Sequence, residues 1–112
     1  MNEMQQGRVY RNNIYVGIIS KFDDESYSFQ YDKDYFENEE SKAISINLKL
    51  QEEAHISPYL FSFFFNLLAE GETKDIQCKK LRIDKNDHFS RLLKTTANNT
   101  IGSVTINEVL EV

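Results

Sequence analysis

The residues whose types could support catalysis or metal binding are few and widely separated. The chain has two histidines, His55 and His88, and one cysteine, Cys78. Their separations match none of the short spacings typical of zinc sites, such as C-x-x-C or HExxH. His55 and Ser57 are two positions apart, and such side chains do not face each other on a helix. We therefore expect neither a metal centre nor a nucleophilic catalytic site.

The remaining residues add no catalytic pattern. Cys78 has lysines on both sides, but a lone cysteine in a helical segment is far more often a small core residue than a nucleophile. The four glycines are isolated from one another, so no glycine-rich phosphate-binding loop is present. The prediction is a chain that is not an enzyme and binds no cofactor.

Length and composition predict one ordinary globular domain. The chain has 112 residues, of which 40% are hydrophobic and 28% charged, and we assign residues 1–112 to a single domain with a polar, flexible segment over 1–6. A single cysteine excludes an internal disulfide framework and suits a reducing cytoplasm. The longest apolar runs are three residues, which favours neither a membrane span nor a signal peptide.

Charge is distributed unevenly along the chain. The segment 22–40 carries eight acidic residues and one basic residue, whereas 73–95 carries seven basic and three acidic residues. The net charge of −5 disfavours general binding to nucleic acids. Two solvated faces of opposite sign are the favoured interpretation. A contact with phosphate or an acidic partner stays open for one basic cluster, which consists of Lys79, Lys80, Arg82 and Lys85.

The first half of the chain has the patterns of strands. Two strands flank the turn pair Asn12-Asn13, which indicates a hairpin over 8–20. Tyr27–Tyr31 alternates aromatic and polar residues, and its aromatic side chains are predicted to lie in the core. A polar loop with one helical turn at 34–37 follows. Ile44–Leu50 alternates for seven residues and has the clearest strand pattern in the sequence.

The second half has helical patterns. Ser57-Pro58 predicts the start of a phenylalanine-rich helix that Gly71 ends, and Thr73 predicts the cap of a second helix that continues to about Arg82. Asn86 or Asp87 predicts the cap of a third helix, whose apolar residues Phe89, Leu92 and Leu93 have helical spacing and which Asn98-Asn99 ends.

A closing strand is predicted over 103–106, and 109–112 is expected to extend the edge of the sheet. Segregated strands and helices indicate an α+β fold, with an antiparallel sheet of four to five strands packed against about three helices.

Several stretches, in this order, resemble the N-terminal subdomain of HipA-type serine/threonine kinase toxins. The most specific is Phe63–Gly71, which is similar to the family pattern FFxNLLPEG, although Ala69 stands where proline is usual. The resemblance covers about residues 7–106. The other matching stretches are Tyr15–Ile19, Tyr27–Asp32, Ile44–Leu50, Ile83–Leu93 and Ile101–Val104.

This resemblance implies a non-catalytic piece of a kinase system, because the ATP-binding and catalytic residues of the family lie outside this subdomain. The chain is similar to the separate HipS-like subunits of HipBST toxin–antitoxin systems. This resemblance implies that the chain is an antitoxin, which binds and inhibits a HipT/HipA-like kinase. A HipB-like DNA-binding protein is the further expected partner, in a ternary complex. Neither a membrane nor a direct nucleic-acid contact is expected.

The partner-binding residues follow from the same resemblance and from the apolar helix. We predict a contact at the turn after that helix, where Glu72 could direct a negative charge toward a phosphate or magnesium site. Two other roles stay open: a structural subunit that completes and supports a split kinase, and an adaptor to the DNA-binding partner through the basic cluster. The candidate contact residues are Phe61, Phe64, Glu70, Gly71, Glu72 and Thr73.

Overall fold

The computed structural model describes residues 3–96 and 104–109. Within these ranges the chain forms one five-stranded antiparallel sheet and four helices, which confirms the predicted α+β class. The elements are β1 (Glu3–Arg11), β2 (Ile14–Phe22), β3 (Tyr27–Tyr31), α1 (Lys33–Glu37), β4 (His55–Ser57), α2 (Ser62–Phe65), α3 (Gly71–Leu81), α4 (His88–Thr95) and β5 (Val104–Glu108). The strands lie in the order β4-β3-β2-β1-β5.

The hairpin of β1 and β2 confirms the first turn prediction. Asn12 and Asn13 have φ angles of 53° and 66°, the left-handed pair that a two-residue hairpin turn requires. Both strands are longer than predicted, because pairing continues to Glu3 opposite Phe22. Residues 3–6 therefore lie in β1, where the sequence suggested a flexible segment.

The central strands β2 and β3 contribute buried side chains to the core. The β3 strand has the predicted bounds, and Phe29 and Tyr31 are buried as predicted. Gly17 of β2 lies so close to β3 that a Cβ atom there would be 2.3 Å from the carbonyl oxygen of Gln30. Only glycine fits such a close approach of two backbones. The fully buried side chains of the core include Val9, Val16, Ile19, Phe29, Phe64, Phe89, Leu92 and Ile106.

The strand prediction for Ile44–Leu50 is wrong. The segment makes a tight turn, in which the Leu48 N–H donates to the Ser45 carbonyl at 3.0 Å and Ile46 is 95% exposed. The hydroxyl of Tyr31 explains this conformation, because it accepts from the Ile44 N–H at 2.9 Å and donates to the Leu48 carbonyl. One buried side chain thus satisfies backbone groups that a neighbouring strand would otherwise have paired.

The predicted start of the phenylalanine-rich helix is also wrong. Ser57 is the last residue of the edge strand β4, where it pairs with Tyr27. Its hydroxyl accepts from the Tyr59 N–H at 3.1 Å, so it stabilises a turn and not a helix start. The helix is only the four residues Ser62–Phe65.

Gly71 does not end that helix but begins α3, and Thr73 lies inside α3 and does not cap it. The predicted end of α3 is confirmed by Arg82, whose left-handed conformation caps the helix. The cap of α4 is confirmed as well, because Asp87 Oδ1 accepts from the Ser90 N–H at 3.1 Å. The predicted breaker Asn98-Asn99 lies outside the described residues, and β5 begins at Val104 as the closing strand.

Candidate docking turn

The N-terminal end of α3 is the most exposed part of the candidate site. It consists of the N-cap residue Glu70 and the first three helical residues, Gly71, Glu72 and Thr73, which are all exposed, and we call this segment the docking turn. Glu70 has an extended conformation and its carboxylate makes no capping hydrogen bond to α3. Glu72 lies in the first turn of α3, where the helix dipole favours a negative charge. The docking turn therefore carries two solvent-exposed carboxylates two residues apart in the chain.

Gly71 allows the chain to enter α3 at this angle. Its φ is +63°, a conformation that side chains with a Cβ rarely adopt, although open space surrounds the position. The constraint is thus on the backbone and not on neighbouring atoms. A substitution here would change the direction of the docking turn without creating a clash.

A buried arginine forms a hydrogen bond with the residue that precedes the docking turn. Arg91 of α4 is 3% exposed, and its Nη2 donates to the Ala69 carbonyl at 2.7 Å. Its Nη1 lies 3.3 Å from His88 Nδ1, while its Nε is buried without a hydrogen-bond partner. Ala69 directly precedes the docking turn, so the guanidinium fixes the point at which the turn begins.

His88 links Arg91 to Phe65, the last residue of α2, at the other end of the segment 65–69. Its ring meets the ring of Phe65 edge-on at 5.0 Å. Burial lowers the pKa of His88 below its ordinary value, and the positive charges of Arg91 and Lys74 lower it further. His88 is therefore neutral near pH 7, which allows Nδ1 to accept the hydrogen bond from Arg91.

A groove lies beside the docking turn. It has a volume of about 490 Å³, with Leu67 and Leu68 among its apolar lining and Glu70 and Thr73 from the turn itself. An apolar lining next to a carboxylate suits a partner side chain that combines an aliphatic or aromatic body with a cationic or hydroxyl end.

One comparison with known proteins shows the family, and another shows a similar fold. The family model for the HipA N-terminal domain matches residues 7–107, nearly the whole chain. The chain belongs to the HipA N-terminal domain family. A solved structure described as "N-terminal domain of HipA toxin" is similar in fold, with a TM-score of 0.71 and 21% identity over 99% of this chain and 98% of that one. No curated protein matches the chain.

This HipA N-terminal domain is thus related to toxin–antitoxin components, as the sequence resemblance predicted. Within its described residues no group of three or more histidine, cysteine or carboxylate side chains could hold a metal ion. Over the same part of the chain, no helix is both long enough and apolar enough to cross a membrane.

The six predicted contact residues fall into two groups in this HipA N-terminal domain. The four residues of the docking turn are contiguous and exposed, and their role stays a prediction. Phe61 is half-buried against the core, and Phe64 is 0% exposed among Phe29, Phe61 and Phe63. Phe64 therefore packs the core and cannot contact a partner in this conformation.

Sequence reasoning missed Phe65, which is 41% exposed at the end of α2. Three consecutive phenylalanines cannot all face the core on one helix, so the run itself indicates an outward aromatic residue. Which one points outward depends on where the helix begins, and the predicted start was four residues too early. Arg91 was missed as well, because a basic residue on an amphipathic helix normally indicates a solvated position.

The basic cluster lies at the C-terminal end of α3 and in the residues that follow. Lys79, Lys80, Arg82 and Lys85 are all exposed. Lys85 Nζ lies 2.8 Å from Asp75 Oδ1, so one of these four charges has a counter-charge. A contact between this cluster and an acidic partner or a DNA-binding subunit stays a prediction.

Proposed function

We propose that this domain is a non-catalytic antitoxin subunit that binds a HipA-type serine/threonine kinase and inhibits it through the docking turn. The observation that carries the proposal is the combination of exposure and support at this turn. All four of its residues are exposed, while Arg91 holds the residue that precedes it. A projecting segment that is already ordered loses less conformational entropy on binding than a flexible one.

The chemistry of the turn suits a kinase cleft. Such a cleft binds the phosphates of ATP through magnesium ions and cationic side chains. The carboxylates of Glu70 and Glu72 are complementary to those groups, and the adjacent groove offers a place for an apolar side chain of the partner. A domain docked in this way would keep nucleotide or protein substrate out of the cleft.

The test is a titration of kinase activity. A HipA-type kinase core without its own N-terminal domain is mixed with increasing amounts of this chain, and autophosphorylation and binding are measured together. We expect activity to fall to a plateau at a fixed stoichiometric ratio. Activity that rises instead would make the chain a completing subunit, and absence of binding would reject the proposal.

Paired variants locate the contact. Glu72→Ala should weaken inhibition about tenfold, which corresponds to ~1.4 kcal/mol of binding free energy. Glu39→Ala is the matched control, because it removes one exposed carboxylate from the loop after α1. If Glu72→Ala and Glu70→Ala both inhibit as strongly as the wild type and the control, the docking turn is not the contact.

A further inference from the structure

Arg91 is a charged side chain in a buried position, where the loss of hydration opposes folding. It is 3% exposed, and its hydrogen-bond partners in the described part of the chain are a backbone carbonyl and a neutral histidine. The two ion pairs found there involve other residues, Lys85 with Asp75 and Lys94 with Glu108. Neutral acceptors compensate a buried charge less completely than a carboxylate does. The arrangement therefore needs a reason other than stability.

The partners of Arg91 indicate that reason. Its two contacts lie at the two ends of one short segment: Ala69 directly, and Phe65 through the ring of His88. Between them Leu68 is buried, and the Leu68 N–H donates to the Phe65 carbonyl at 3.1 Å. This segment is the only covalent connection between α2 and the docking turn, so its placement sets the placement of the turn.

We infer that Arg91 is the positioning residue of the docking turn. Its charge holds the Ala69 carbonyl and the His88 ring in fixed positions, and it contributes little or nothing to global stability. This inference rests on the proposed function for its biological meaning, although the positioning itself is a property of the isolated domain.

The inference separates stability from order in the turn. Arg91→Met removes a buried charge, which favours folding, but it also leaves the Ala69 carbonyl and His88 Nδ1 without their donor, which opposes folding. Because the two effects oppose each other, the unfolding temperature should change little, whereas residues 69–73 lose their support. A residue with a merely structural role would lose global stability and local order together.

The experiment measures ¹⁵N backbone order parameters, thermal unfolding and kinase inhibition for Arg91→Met and for Lys94→Met. Lys94 is the matched control, because it is an exposed cation on the same helix and pairs with Glu108 at 2.7 Å. For Arg91→Met we expect order parameters at 69–73 to fall from about 0.85 to below about 0.6. We also expect inhibition to weaken about tenfold, mainly through faster dissociation. Lys94→Met should match the wild type in both.

Unchanged order parameters at 69–73 in Arg91→Met would overturn the inference, and so would a fall in unfolding temperature with a uniform loss of order. Arg91→Lys covers the case in which the methionine variant does not fold. The ammonium of lysine does not reproduce the planar, forked donor geometry of the guanidinium, so a smaller loss of order is expected, and wild-type order would count against the inference. If the wild-type chain binds no kinase, the proposed function fails, and the order parameters still decide the positioning role.

Discussion

Helices α3 and α4 are neighbours in the sequence but differ sharply in how they are held. The eight residues of α4 bury Phe89, Arg91, Leu92 and Leu93, whereas the eleven residues of α3 bury only Cys78. Ile76 and Leu81 of α3 are large apolar residues that remain exposed. We conclude that α4 belongs to the core, whereas α3, whose first three residues are part of the docking turn, lies on the surface.

This difference explains how one small domain can be both stable and ready to bind. Burial of apolar side chains in α4 supplies stability, since this is the main favourable contribution to folding. The surface of α3 and the docking turn contributes little to folding and is therefore free to be selected for a partner. The following predictions test that division, in order of decreasing effect.

The largest contrast is expected from matched truncations in the two helices. Leu92→Ala in α4 should lower the free energy of unfolding by about 2–5 kcal/mol, because it leaves a cavity in the core. Ile76→Ala in α3 should change it by no more than about 0.5 kcal/mol. Urea denaturation of both variants measures the difference. Comparable losses would mean that α3 is part of the core after all.

A smaller effect is expected at the helix cap. Asp87→Ala removes the acceptor for the Ser90 N–H and should cost about 1 kcal/mol of unfolding free energy. Asp87→Asn keeps an acceptor and serves as the control, with most of the stability retained. Thermal and urea unfolding would both report the loss. An alanine variant as stable as wild type would show that this cap does not hold α4.

The smallest expected effect is a dependence on pH near His88. Its pKa is lowered from the ordinary value of 6.5, first by burial and then by Arg91 and Lys74, against an opposing effect of Asp87. The unfolded chain then binds a proton more readily than the folded chain. The neutral form of His88 therefore contributes to the stability of the folded domain. This contribution is fully present above about pH 6.5 and is lost as the pH falls through the lowered pKa of His88 in the folded state.

Unfolding temperatures of the wild type between pH 7.5 and 5 measure this loss. His88→Gln should reduce the decline over that range, whereas His55→Gln, which changes the other histidine, should leave it as in the wild type. The carboxylates with lowered pKa values, Asp24 and Asp75, titrate below this range. An identical decline in His88→Gln would assign the effect to other groups.

Local sequence patterns were reliable where neighbouring residues satisfy one another. The Asn12-Asn13 turn and the capped helix from Asp87 each depend on contacts within a few residues, and each was predicted. The strand Tyr27–Tyr31 was predicted as well, because its alternating pattern agrees with the pairing that β2 and β4 provide. The alternation in Ile44–Leu50 failed because a distant hydroxyl, that of Tyr31, holds Ile44 and Leu48. The helix start at Ser57 failed because β3 takes that residue as a strand partner.

The candidate site divides in the same way. The sequence identified Glu70, Gly71, Glu72 and Thr73 as a polar turn after an apolar segment, and these residues are contiguous and exposed. It could not assign inward and outward directions to Phe64 and Phe65, because those depend on the helix start. The support by Arg91 was not visible, since a residue 22 positions away meets the Ala69 carbonyl only in the folded chain.

The sequence by itself therefore determined the family, the α+β class, the hairpin turn and the position of the exposed turn along the chain. These follow from residue order, spacing and local backbone preferences. Only the tertiary structure decided which aromatic residues face outward, which helix belongs to the core, and what holds the docking turn in place. The physical reason is that burial and long-range hydrogen bonds depend on which segments meet, and a local pattern carries no information about a partner far along the chain.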